Sequence, residues 1–354
     1  MRPFELRREP LASTGRPWSL ALFTTLSDEP RNVERDWRRR CPVAPYSPPG
    51  SGGIVVTIRK VPEHTDVGGA MPRIVAVHGI GQQVRGPEVL RQVWVPALRD
   101  GIALAGGQRP AESDIEVAFY GDLFRQAGRK GAGEAQYAAH DVEPGFETEL
   151  LQAWWREAAT TDASVVGPDE QTKLRTPQTV QRALNALSYS RFFTGMGERL
   201  VIALIKQVHL YLTDGAVRAK VQDRVANLVD DDTMVVVGHS LGSVVAYEAL
   251  CGRNDVGVAL VTLGCPLGIH NLVFDRLRPP PVNGRGQFPA GAASWTNIAD
   301  GGDVVALVKQ LRPLFGNRVQ DVSVDNGSKA HDVSPYLTAA ETGRAILAGL
   351  TDDR

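Results

Sequence analysis

Residues 235–247 read VVVGHSLGSVVAY, a β-branched run that passes through a lone serine between two glycines into a helix-like run. The pattern predicts a strand ending at Gly238 and a helix over 241–251, joined by a turn too sharp for side chains at Gly238 and Gly242. Such a turn lifts Ser240 clear of a sheet. A structural turn would not need serine at its strained apex, so the rest of the chain has to say what the hydroxyl is for.

Working outward from this stretch, short apolar segments recur as candidate strands: IVVTI (54–58), RIVAVH (73–78), IEVAFY (115–120), VALVTLG (258–264), WTNIAD (295–300) and VQDVSV (319–324). Helix-length stretches at 87–105, 197–229, 241–251, 303–312 and 335–349 lie between them. Short β-branched strands alternating with helices imply a doubly wound, mostly parallel α/β sheet covered on both faces. Residues 1–52, dense in proline and glycine, read as a flexible or loosely docked N-terminal arm ahead of a main domain over 53–354. Residues 125–196 break the strand rhythm and read as a helical cap or lid inserted above the carboxyl edge of the sheet. Its Trp154-Trp155 pair suits core packing of that cap, with an acyl pocket or a lipid surface as the other readings.

Composition narrows the function. The 354 residues carry a net charge of −1 with 43% apolar residues, so no overall field draws the chain to nucleic acid or to anionic membrane, and a neutral or small substrate is expected. Cys41, Cys251 and Cys265 lack metal-ligand spacing and are odd in number, which argues against a disulfide framework or a zinc ribbon. The charged start MRPFELRREP does not resemble a secretory signal and no apolar run is long enough to span a membrane, so a cytoplasmic protein is expected, with peripheral membrane contact left open through apolar pieces such as Phe192-Phe193 and 200–205.

In a doubly wound sheet the chemistry sits at the carboxyl ends of the strands. After the respective strands come His78-Gly-Ile-Gly-Gln-Gln83, Gly121-Asp122, Gly238-His-Ser-Leu-Gly242, Asp300-Gly-Gly-Asp303 and His331. Nucleophile, acid and base thus follow the order Ser, Asp, His. A serine hydroxyl needs an imidazole to take its proton, and the imidazole needs a carboxylate to fix its tautomer. Ser240, Asp303 and His331 fit those roles, with Asp300 and Asp122 as alternative acids. Asp303 also has a bland reading, as N-cap of a helix beginning at Val304. The developing oxyanion needs waiting donors: the Leu241 amide at a helix start, and that of Ile80 or Gly81 in the first loop. His78 and His239 show no coherent metal-ligand spacing and are read as fixing their own loops, together with Gly79, Gly81, Gly238 and Gly242. The first loop lacks the GK[ST] ending of a phosphate cradle.

VAVHGIGQQ (75–83), VVVGHSLGSVVAY (235–247), TLGCPLG (262–268), WTNIADGGDVVA (295–306) and His331 together resemble the α/β-hydrolase superfamily, in particular bacterial lipase- and esterase-like serine hydrolases. The resemblance spans roughly 54–350 and leaves the arm outside. It implies Ser240, Asp303 and His331 as triad, since the family tends to place its acid second in a D-x-x-D-x-V pattern, with Ile80 and Leu241 at the oxyanion hole and no cofactor. A carboxylic ester with a hydrophobic, lipid-like acyl group is the expected substrate. Thioester or amide hydrolysis, acyl transfer, and an effector or non-catalytic module engaging a protein partner through the arm or cap are the competing expectations.

Overall fold

The computed structural model describes residues 73–125, 137–169, 175–190, 193 and 197–351. The arm and the candidate strand at 54–58 lie outside them. Six strands form one sheet: β1 (Ile74–Val77), β2 (Ile115–Ala118), β3 (Val235–His239), β4 (Val258–Leu263), β5 (Ala292–Asp300) and β6 (Val319–Val324). Their spatial order is β2-β1-β3-β4-β5-β6, and every neighbouring pair is parallel. The described helices are α1 (Pro87–Leu104), α2 (Phe146–Thr161), α3 (Pro177–Ser188), α4 (Glu198–Thr213), α5 (Gly215–Ala226), α6 (Leu241–Cys251), α7 (Arg312–Phe315), α8 (Val333–Thr338) and α9 (Ala340–Thr351).

The strands are apolar on both faces because both faces are covered. Val75, Val77, Val236 and Leu260 point into a core shared with α2 to α6, while Ile74, Ala76, Val235, Val237 and Val261 point into a second core with α1, α8 and α9. Full burial of each valine, leucine or isoleucine among them is worth about 1.5–3 kcal/mol. All six strands expected within the described residues are present, and the layout is α/β with a parallel sheet.

The helix expectations need three corrections. The segment 197–229 is two helices bent by 90°, because the Asp214 carboxylate caps α5 through the amides of Ala216 (2.8 Å) and Val217 (3.0 Å). The segment 335–349 is likewise divided, with Ala339 in extended conformation between α8 and α9. Residues 303–311 do not form a helix at all. Their backbone groups go to tertiary partners instead: the Lys309 carbonyl accepts from Asn297 Nδ2 (2.9 Å), and the Leu311 and Arg312 amides donate to the Asp321 carboxylate (2.8 and 3.0 Å). Helix begins only at Arg312.

Within residues 125–196, α2 and α3 are described. Trp154 and Trp155 are buried, Trp154 packing on Phe193 and Trp155 Nε1 donating to the Val166 carbonyl (2.8 Å), so neither offers a lipid-facing surface. The last turn of α2 reaches the loops at the carboxyl end of the sheet, where Ala158 and Thr161 line a small cavity with Gly302, Val304 and Ala330, and Glu157 pairs with Lys309 at 3.5 Å. Among the described residues no single helix is long and apolar enough to cross a membrane.

Candidate functional site

Strand order fixes where a site can form. The chain leaves β1 toward β2 on one side, and β3 lies on the other, so a crevice opens at the carboxyl ends of β1 and β3. The loop 78–83 and the turn at Ser240 are the two segments that leave those ends.

Ser240 has φ 55° and ψ −128°, a conformation that costs a non-glycine residue about 1–3 kcal/mol. The surroundings enforce it. A Cβ at Gly242 would lie 2.2 Å from the Val77 carbonyl oxygen, and one at Gly238 would lie 2.6 Å from Ser243 Cα, so only glycines let α6 press against the sheet here. The Ser240 amide donates to the Leu263 carbonyl (2.9 Å). Its hydroxyl is buried, the residue being 2% exposed, and has no hydrogen-bond partner among the described residues.

Of the three carboxylates expected as candidate acids, Asp303 is the one hydrogen-bonded to His331. Asp303 is fully buried, and its Oδ2 accepts from His331 Nδ1 (2.8 Å) and from the Tyr336 hydroxyl (2.9 Å). Its Oδ1 accepts from the amides of Val305 (2.9 Å) and Ala306 (3.2 Å), as an N-cap carboxylate would, though no helix follows. Burial pushes this carboxyl up, but the His331 imidazole, the amides and the phenol outweigh it and hold it below its ordinary value. Asp300 is spent differently: Oδ1 accepts from the Gly302 amide (2.6 Å) and Oδ2 from the Asn326 amide, tying together the loops that carry Asp303 and His331. Asp122 pairs with Arg224 (2.9 Å), which lowers its carboxyl. Neither alternative acid hydrogen-bonds to His331.

Ser240 and His331 form no direct hydrogen bond, yet both flank one backbone segment. Leu263 accepts from the Ser240 amide, and the next residue, Gly264 (φ 53°), lies so close to the acid–base pair that a Cβ there would be 2.7 Å from Asp303 Oδ2 and 3.1 Å from His331 Nδ1. His239 closes the other side. Its ring lies 4.7 Å from that of His331, and its Nε2 is 3.0 Å from the His331 carbonyl oxygen, to which it donates as the Nε2–H tautomer.

The first loop is held as a unit. His78 Nδ1 donates to the Gly79 carbonyl (2.6 Å), and Nε2 accepts the Tyr120 amide (3.1 Å). Gly79 sits against Ser240, where a Cβ would be 2.8 Å from that of the serine. Gly81 donates its amide to Gln207 Oε1 (3.0 Å), which takes it out of consideration as an oxyanion donor. No described residue accepts from the Ile80 or the Leu241 amide. His78 and His239 thus spend ring nitrogens on backbone groups of neighbouring segments.

Both histidines are buried, and burial lowers His78 to about 4 and His239 to about 3. A histidine that binds its proton more weakly when folded makes protonation favour unfolding. The fold therefore has its full stability above about pH 6.5 and loses it as pH falls toward the folded values, at about 2 kcal/mol per residue by pH 5. Urea midpoints compared near neutrality and near pH 5 should drop accordingly. Equal midpoints would mean the two imidazoles are already accessible to protons in the folded chain.

Among the described residues, Glu143, Glu147 and His209 bring potential metal ligands within 4.8 Å of one another. Lys206 Nζ lies 2.9 Å from Glu147 and 3.4 Å from Glu143 and supplies the counter-charge there, so these residues do not make a convincing cation site. Residues that sequence reasoning passed over include Tyr336, Gly264 and Gln207. TLGCPLG contained Gly264 but gave it no role, and nothing in the spacing links Tyr336 or Gln207 to the motifs. No protein-family model matches the chain, and comparison with curated proteins and with solved structures finds no similar one.

Proposed function

We propose that the protein is a serine hydrolase that cleaves a carboxylic ester through an acyl-enzyme on Ser240. The observation that carries the reading is a buried carboxylate bound to His331 Nδ1 on the strand ends next to a serine held in a strained strand-to-helix turn. Ser240 Oγ attacks the ester carbonyl carbon while His331 Nε2 takes the hydroxyl proton, and Asp303 stabilises the imidazolium that results. The negative charge on the carbonyl oxygen is met by the Ile80 and Leu241 amides, the latter at the start of α6. As the tetrahedral intermediate collapses, the bond to the leaving oxygen breaks and His331 gives it the proton. Water then repeats the sequence on the acyl-enzyme, freeing the acid and restoring the hydroxyl. A Ser240–His331 hydrogen bond that tightens only with substrate bound is ordinary for such sites.

The resemblance of the motifs to α/β-hydrolases supports this reading, as does the chain order of the three residues. A hydrophobic acyl group is favoured because a helical insertion, through α2, abuts the acid and base loops, and the insertion is assigned the part of a lid. A fluorophosphonate probe tests the core of the proposal: it should label the wild-type protein and not Ser240→Ala. Equal labelling of both would remove Ser240 from the mechanism. Acyl esters of graded length, run beside thioester and amide substrates, then identify the bond. Turnover of thioesters or amides with every ester left intact would replace the esterase assignment by one of its competitors.

A further inference from the structure

We propose that Tyr336 is a positioning residue of this site, its phenol setting both the orientation and the basicity of the Asp303 carboxylate that His331 depends on. The inference rests on the serine-hydrolase reading for its consequence in catalysis, but not for its physical content. Four atoms form a chain: the Asp300 amide donates to the Tyr336 hydroxyl (2.8 Å), the hydroxyl donates to Asp303 Oδ2 (2.9 Å), and the same oxygen accepts His331 Nδ1–H (2.8 Å). A hydroxyl that already accepts a hydrogen bond is a stronger donor, so the Asp300 amide strengthens the contact to Asp303.

The placement is over-determined. Tyr336 sits on α8, which starts just beyond His331 and is capped by Asp332 Oδ1 accepting the Ser334 amide (3.0 Å), so one short segment carries both base and phenol. The ring is completely buried, packed near His239 at 5.8 Å and against Gly264, where a Cβ would be 3.1 Å from Tyr336 Cε2. Burial, with Asp303 beside it, pushes the phenol far above its ordinary range, so it remains a donor throughout the working pH range.

Among the described residues, the charged and titratable groups around His331 include Asp303, Tyr336, the His239 imidazole at the end of β3, Asp300 behind the phenol, and Lys309, which pairs with Glu157 and whose ammonium donates to the Asp303 carbonyl. The phenol competes with the imidazole for Oδ2, since each donor drawn to that oxygen leaves less negative charge for the other. Removing the phenol leaves a more basic carboxylate and a better-stabilised imidazolium. Strengthening it does the opposite.

The test is an NMR titration of the His331 ring, assigned by its disappearance in His331→Gln, in the wild type, in Tyr336→Phe and in protein carrying 3,5-difluorotyrosine at 336. The midpoint should rise by about half a pH unit in Tyr336→Phe and fall by a similar amount with the more acidic difluorophenol. Where fluorophosphonate labels the wild type, the acid limb of the labelling rate should move in the same two directions. A merely structural tyrosine would not shift the midpoint in opposite senses. An unmoved midpoint in the difluorotyrosine protein, or a shift of one sign in both variants, overturns the proposal. If Tyr336→Phe does not fold, the difluorotyrosine protein decides alone. Failure of the wild type to label would overturn the hydrolase reading instead, and the titration would still decide the role of Tyr336.

Discussion

Asp303→Asn should slow acylation of Ser240 by about 10⁴-fold, while Asp300→Asn should slow it by less than about tenfold. In Asp303→Asn the amide oxygen is claimed by the Val305 and Ala306 amides that Oδ1 now satisfies, which turns the NH₂ group toward His331 Nδ1–H and the Tyr336 hydroxyl. Donor would face donor at both contacts. The imidazole relieves this by moving its proton to Nε2, and a ring protonated there cannot accept from Ser240. Asp300 bonds only backbone amides at Gly302 and Asn326, so its substitution should appear chiefly as about 1–3 kcal/mol of lost stability. Rates of fluorophosphonate labelling, measured beside denaturation midpoints for both variants, separate the two outcomes. If Asp300→Asn were the variant to lose labelling with its fold intact, the assignment of the acid would be wrong.

A comparable loss in stability is expected away from the strand ends. The guanidinium of Arg218 on α5 and the carboxylate of Glu248 on α6 are both almost wholly buried and paired, with the Arg218 Nε to Glu248 Oε2 contact at 2.9 Å. The carboxylate also accepts from the Tyr211 hydroxyl (2.7 Å) and the Arg278 amide (3.0 Å), so one acid gathers α4, α5, α6 and the chain after β4. Arg218→Met should cost about 3–5 kcal/mol, because it strands a buried negative charge. The double substitution Arg218→Met with Glu248→Leu should recover much of that, since two apolar groups of similar size need no desolvation. Recovery should stop short of complete, as Tyr211 and Arg278 then lose an acceptor. Urea denaturation of both variants supplies the comparison, and a double variant no more stable than Arg218→Met would show that the charge was not the source of the loss.

The strands were legible because strand and core make the same demand: segments such as IVAV and VALVTL are buried along their whole length, so sequence and packing agree. The helix expected over 303–312 failed where they disagree. VVALVKQL has helical character by itself, but Asn297 and Asp321, on β5 and β6, take the backbone groups a helix would have used, and no local reading reveals that competition. The bend before α5 did carry a local sign, an aspartate followed by glycine, hidden within an otherwise continuous apolar pattern. At the candidate site, Ser240, Asp303 and His331 could be singled out because each follows a recognisable strand. Tyr336 and Gly264 could not: one acts through a hydroxyl and the other through a missing side chain, and both reach the carboxylate only through space.

By composition and length, α4 and α5 together could make one apolar rod of membrane-crossing size. A single carboxylate, Asp214, turns that rod into a corner. Ile202 and Ile205 on one arm and Val221 and Val225 on the other then belong to the same interior cluster. The greasiness of this stretch is thus consumed by the two arms and the sheet they wrap, and hydropathy counted along the chain mistakes an inside corner for an outward-facing surface.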